Sequence, residues 1–223
     1  MTLLAIDSST RTSGLAVYDG LQVCYECTWA GKDFHGVDLA PQIQRALDLS
    51  GIKIEDLRAV AIAAGPGSYT GLRIGYALAK GLAFARGLAL IAIPSLDILA
   101  AGQPLQDLPL VAVLQAGRGR MAVGRYKVRK DHWQAAGPPS LVTVEELSES
   151  IHHPTLLCGE LGESDRAALG RKYKNAIIQS AAWSVRRPAL LAELAWARWQ
   201  AGEVDEAKGL APLYLQASGA TPL

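Results

Sequence analysis

"AAGPGSYTGLRIG", residues 63–75, separates an apolar run from the start of a helical pattern, and its reading decides the fold. A glycine-rich loop in that place can cradle a phosphate, raise a nucleophile or only turn the chain. The phosphate-loop pattern G-x-x-x-x-G-K-[ST] fails from either Gly65 or Gly67, and Leu72, not glycine, precedes Arg73. The dinucleotide pattern G-x-G-x-x-G opens at Gly65 and Gly67 but meets Thr70 where its third glycine belongs. A nucleophile elbow wants glycine two positions either side of its serine, whereas Ser68 follows Gly67 directly and has Thr70 two positions on. None of the three patterns is met.

The helix that follows, over about 71–86, says more. Gly71, Gly75, Ala79 and Ala83 recur every fourth residue, so they form one stripe of small side chains. Each glycine costs a helix about 1 kcal/mol against alanine, so another backbone is expected close against the stripe. Spacing alone leaves two owners for that backbone, this chain's own sheet or helices and a second chain. Arg73 sharpens the question, because a cation in a first turn opposes the helix dipole. It also stands where a capping box opening at Thr70 would place glutamate. An anion or a carboxylate is expected opposite it. If the stripe faces a second chain, Gly75→Leu should leave the fold intact and prevent association.

Outward from the loop the pattern is β-β-β-α-β-α-β-α. "TLLAID" (2–7), "SGLAVYD" (13–19) and "GLQVCYECTW" (20–29) read as strands, with Asp19-Gly20 a hairpin signal. "DLAPQIQRALDLSG" (38–51) is a helix with Asp38 at its start and Gly51 at its end. "AVAIAA" (59–64) is a continuous apolar strand of the kind covered on both faces, "LALIAI" (88–93) is another, and Ser95 opens a third helix. Alternation after the opening hairpins predicts an α/β fold with a mixed sheet covered by helices. A lobe boundary falls in "GQPLQDLP" (102–109), giving lobes 1–102 and 103–223. In the second, "LVAVLQ", "MAVGRYKV", "TLLCG" and "NAIIQ" are strands and "TVEE" (143–146) opens a short helix. A long last helix from Pro188 is placed to pack back on the first lobe.

Composition narrows the function. The chain has 223 residues and 22 basic against 21 acidic side chains, so a nucleic-acid role must be local or shared with a partner. No apolar run is long enough to span a membrane, and the N-terminus lacks the basic start of a signal peptide. A cytoplasmic protein is expected, and three cysteines suit a reducing compartment. Cys24 and Cys27 sit three apart on a strand and point to opposite faces unless the strand is broken between them. His35, His132, His152 and His153 form no helical metal pair. Asp7, at the end of the first strand, is either a ligand group or a turn aspartate holding nearby amides. "GRGRMAVGRYKVRK" (117–130) holds six basic residues and no acid, which reads as a solvated edge strand or as an RNA contact.

"LAIDSSTRTSGLAVYDG", "AIAAGPGSYTGLRIGYALAKGLA", "IPSLDILA", "AGRGRM" and "PLYLQ" (212–216) occur in this order along nearly the whole chain. Together they resemble the TsaB (YeaZ) family of tRNA threonylcarbamoyladenosine biosynthesis. The resemblance implies the actin/Hsp70/sugar-kinase (ribonuclease-H-like) fold, with two lobes of mixed sheet flanked by helices. A catalytic cousin, the TsaD-like subunit, carries two metal-holding histidines where this chain has Ser95 and Leu99; a hydroxyl and an aliphatic side chain cannot replace them. The resemblance therefore implies a non-catalytic partner of a TsaD-like subunit, joined by a TsaE-like ATPase. That assembly modifies N6 of the adenosine beside the anticodon. No cofactor of its own is implied, with ATP and a metal ion on partner subunits and tRNA met through the complex. It also assigns the partner contact to Gly71, Arg73, Gly75, Tyr76 and Ala79, and permits self-association through the same helix. Asp7, Gly65 and Gly67 remain as a vestigial nucleotide site. The alternative is an ATP-dependent small-molecule kinase on the same fold, though no later aspartate opens a D-x-G phosphate loop. Gln115 and Gln216 depart from the family pattern of the second lobe.

Overall fold

In the computed structural model, which describes residues 1–31, 38–171 and 175–215, the opening strands are β1 (Thr2–Asp7), β2 (Thr12–Tyr18) and β3 (Val23–Ala30). Then come α1 (Leu39–Ser50), β4 (Leu57–Ala63), α2 (Tyr69–Arg86), β5 (Ala89–Ile93) and α3 (Ser95–Ala101), the order that the hydrophobic pattern predicts. The strands form one sheet in the order β3-β2-β1-β4-β5. The first three are antiparallel, whereas β4 runs parallel to β1 and β5 parallel to β4.

Strand alternation sorts this sheet into two unlike faces. Leu4, Ile6, Leu15, Val17, Val60 and Ile62 point to the side covered by α1 and α2. Leu3, Ala5, Ala16, Ala59, Ala61 and Ala63 point to the other, which is rich in alanine. That small-residue face receives α6 (Pro188–Gln200), whose buried Leu191, Ala192 and Ala195 lie against it. Proline at the helix start needs no hydrogen bond for a missing N–H, so α6 begins cleanly there.

The chain divides into Met1–Ile98 with Arg187–Leu213 and Leu99–Arg186 with Tyr214–Leu223. The division thus falls inside α3 rather than after residue 102, and α6 is part of the first unit. After α6 the chain runs along the outer edge of β5. Asp205 N donates to Leu90 O (2.8 Å), Ala92 N donates to Asp205 Oδ2 (2.7 Å), and Arg198 Nη1 donates to Ala92 O (2.7 Å). These contacts close an edge that would otherwise invite pairing with another chain.

The second unit contains β6 (Leu110–Gly117), β7 (Arg120–Arg129), β8 (His132–Ala135) and β9 (Ser140–Val142). It continues with α4 (Val144–Ser150), β10 (Thr155–Gly159), α5 (Glu163–Arg171) and β11 (Ala176–Ile178). Its sheet runs β11-β10-β6-β7-β8, with β9 also paired to β7. The basic strand is therefore not an edge: β6 pairs with it on one side and β8 and β9 on the other. Thr143 and Glu146 form the capping box of α4 that "TVEE" predicts.

Candidate functional site

The glycine-rich loop turns into α2 two residues earlier than the small-residue spacing indicates, because Ser68 caps the helix. Its Oγ accepts from Gly71 N at 3.3 Å. A box beginning at Thr70 therefore does not exist, and Arg73 lies beyond the first turn, where the dipole is weaker. The guanidinium finds its partner one helical turn back, over the Tyr69 ring at 4.1 Å from the centroid.

The stripe meets this chain's own sheet. Ser8 Oγ donates to Gly71 O at 2.8 Å, and a β-carbon on Gly75 would overlap that hydroxyl and lie 3.0 Å from Ile62 Cδ1. Ala79 and Ala83 are buried in the core between α2 and the sheet. Tyr76 is 4% exposed, and its hydroxyl donates to Ala211 O at 3.3 Å. The assignment of Gly71, Gly75, Tyr76 and Ala79 to a partner contact is corrected accordingly: all four are buried within the chain, and of the five only Arg73 is exposed. The opposite side of α2 carries Tyr69 (55% exposed), Ala77, Gly81 and Phe84 (92% exposed). A β-carbon at Gly81 would have no atom within 4 Å. Of this face the sequence reading named Arg73 alone, although Ala77 and Gly81 follow it at the same four-residue spacing.

Asp7, Gly65 and Gly67 do come together, through this chain's own atoms. Asp7 is buried, and its Oδ1 accepts from Ser9 N (2.9 Å) and Ser9 Oγ (2.6 Å), as a turn aspartate does. Gly67 lies flat on the Ser9 carbonyl, leaving no room for a side chain, and Ser68 N donates to Ser9 O at 2.6 Å. Gly65 has φ +101, and a β-carbon there would be 2.6 Å from Leu213 O. Gly65 N donates to Ser95 Oγ (3.1 Å) while Ser95 N donates to Gly65 O (2.8 Å). The amides of Gly65, Ser68 and Gly71, the donors a phosphate would use, are thus engaged within the chain.

Among the described residues no group of three or more His, Cys, Asp or Glu is arranged to hold a metal ion. The break that would bring Cys24 and Cys27 to one face is present, a β-bulge at Cys24 between the pairs Val17↔Tyr25 and Tyr18↔Val23. Both thiols pack beside the core under α1 and α2, and Cys24 Sγ donates to Gln22 O at 3.8 Å. Burial pushes the Cys158 thiol up to about 12. His132, His152 and His153 are exposed, and His35 and Gln216 lie outside the described residues. Gln115 serves the second unit's own structure, donating through Nε2 to Glu160 O and Asp165 Oδ2, both at 3.0 Å.

Comparison with known proteins agrees over most of the chain. The family model for TsaD, tRNA N6-adenosine threonylcarbamoyltransferase, matches residues 30–217. A Bacillus subtilis protein named tRNA threonylcarbamoyladenosine biosynthesis protein TsaB is 31% identical over 226 residues, 97% of this chain and 94% of its own. The Escherichia coli protein of that name is 34% identical over 102 residues, 46% of this chain and 44% of its own. The solved structure of YeaZ from Pseudomonas aeruginosa superposes with a TM-score of 0.77 at 25% identity, over 96% of this chain and all of that one. The ethanolamine utilization protein EutJ from Carboxydothermus hydrogenoformans, at 15% identity and TM-score 0.50 over 87% of this chain and 88% of its own, shares the fold alone. The fold is that of the actin/Hsp70/sugar-kinase class, with a mixed sheet flanked by helices in each unit. Among the described residues no helix is long and apolar enough to cross a membrane.

Proposed function

The chain belongs to the TsaB (YeaZ) family, and from that premise we propose that it acts as the non-catalytic subunit that binds and activates a TsaD-like transferase. The process it serves is tRNA threonylcarbamoyladenosine biosynthesis. The product of the assembly is the N6-threonylcarbamoyl group on the adenosine beside the anticodon. ATP and a metal ion belong to the TsaD-like and TsaE-like partners.

The observation that carries the reading is the outward face of α2. Phe84 stands 92% exposed, and Ala77 and Gly81 form a flat floor beside it. A large apolar side chain in water next to a surface that admits close backbone approach suits a protein partner. Tyr69 and Arg73 end the same face with an aromatic ring and a cation stacked on it, residue types enriched in interfaces. This face replaces the buried stripe as the contact with the TsaD-like subunit, and in the isolated chain it is also the face available for self-association. Ser95 supports the non-catalytic part: it stands where the cousin has a metal-holding histidine and here is bonded to both backbone polar groups of Gly65.

Phe84→Glu tests the reading cleanly, because the side chain touches no core. The variant should melt at the wild-type temperature yet fail to co-purify with the TsaD-like subunit, and modification of tRNA by the mixture should be lost. Wild-type co-purification by a folded variant would rule out α2 as the contact.

A further inference from the structure

We infer that the cationic face of the β7–β8 hairpin is a docking surface for the sugar-phosphate backbone of tRNA, an inference that rests on the reading above that the chain works on tRNA. Arg125, Lys127 and Arg129 alternate along β7, so they project from one face, and all three are exposed. Lys130 follows in the two-residue turn closed by the Arg129↔His132 pair, and it is exposed as well. Across the ladder the same face carries Gln134 opposite Lys127 and His132 opposite Arg129, both without negative charge. Asp131 in the turn is the one acid of the hairpin.

Several cations elsewhere in the chain are answered by carboxylates, and these, among the described residues, are not. Arg186 pairs with Glu160, Arg187 with Glu26, and Arg198 with Asp205 and Glu203. Arg58 donates to the carbonyls of Glu55 and Leu57. Arg125 has only the neutral Ser150 hydroxyl, at 3.0 Å, and among the described residues Lys127, Arg129 and Lys130 have no carboxylate partner. Lys130 and Asp131 are held at φ 48 and 59, a turn that asparagine and glycine adopt with less strain. A lysine kept at such a tip presents charge and adds no packing.

The surroundings favour RNA over other anionic partners. A membrane-binding surface needs apolar side chains to enter the headgroup region, and none of the large exposed hydrophobic residues lies on this hairpin. Alternate residues of a strand repeat at about 6.6 Å, a regular row of the kind successive phosphates of one strand can meet, whereas acidic side chains of a protein would have to be matched one by one. No aromatic platform accompanies the row. Tyr126 is buried, and the Trp133 indole N–H donates to Gln103 O at 3.1 Å. The surface therefore grips backbone without reading bases, which would leave choice of tRNA to the partner. In a chain whose net charge is +1, a local cluster of cations is what such a contact requires.

The test is a titration of fluorescently labelled tRNA at several salt concentrations, with the full chain alone and with its TsaD-like partner. Lys127→Glu with Arg129→Glu should weaken binding about tenfold or more at low salt and reduce the slope of log K against log salt by about 2. Arg118→Glu with Arg120→Glu, the same charge change at the turn that opens β7, should cost less than about threefold. A folded Lys127/Arg129 variant with wild-type affinity and slope, or equal losses in the two variants, would overturn the proposal. So would tighter binding of wild type to phosphatidylserine vesicles or to polyglutamate than to tRNA. Failure of the wild-type chain to join the TsaD-like subunit would instead count against the partner reading, and the titration of the chain alone would still decide the hairpin.

Discussion

Gly75 and Gly81 sit on the same helix, one facing the Ser8 hydroxyl and Ile62 and the other facing open space. Both lie among small residues four apart, Gly71-Gly75-Ala79-Ala83 on one side and Ala77-Gly81 on the other. The first repeat lets the helix lie close on its own sheet. The second leaves a flat outer surface beside an exposed phenylalanine. A small-residue repeat thus reports that something approaches closely, but not whether it belongs to the same molecule.

The contrast can be broken by substitution, beginning with the largest effect. Gly75→Leu must displace Ser8 and Ile62 from fully buried positions, so it should destabilise the first unit by about 3 kcal/mol or more and yield little folded protein. This reverses the expectation that the variant would fold and merely lose its partner, and urea unfolding of the soluble fraction checks it. Alanine at the two positions sharpens the comparison, because the signs should be opposite. Gly75→Ala crowds the Ser8 hydroxyl and should lose about 1–3 kcal/mol, whereas Gly81→Ala meets nothing and should gain about 1 kcal/mol of helix propensity. Equal shifts in melting temperature would mean that the two faces are not distinct. The smallest effect belongs to Phe84→Glu, which should alter stability by less than about 0.5 kcal/mol while abolishing association.

The first unit was more legible in the sequence than the second. Its strands are long apolar runs, its helices end on Gly51 and Gly87 in left-handed conformation, and alternation with helices leaves few topologies. In the second unit β8, β9 and α5 are short, and β8 and α5 are largely polar, so neither a two-residue nor a helical period stands out. β7 read as an edge because its charges look solvated. The structure pairs it on both sides and leaves the charges on one face. At the site, the turn role of the loop followed from failed motif spacings, while the facing of its helix did not.

Local order of residues therefore determined the elements of the first unit, the cap at Thr143 and the likeness to a family. Those properties depend on neighbours a few positions apart, which a sequence displays directly. Tertiary structure decided which side of α2 is covered, that Gly65 and Gly67 admit Leu213 and Ser9 of the same chain, and that among the described residues the lysine and arginines of β7 have no carboxylate partner. Each of these turns on contacts between residues distant in sequence, and only the packed chain fixes which surfaces meet and which face water.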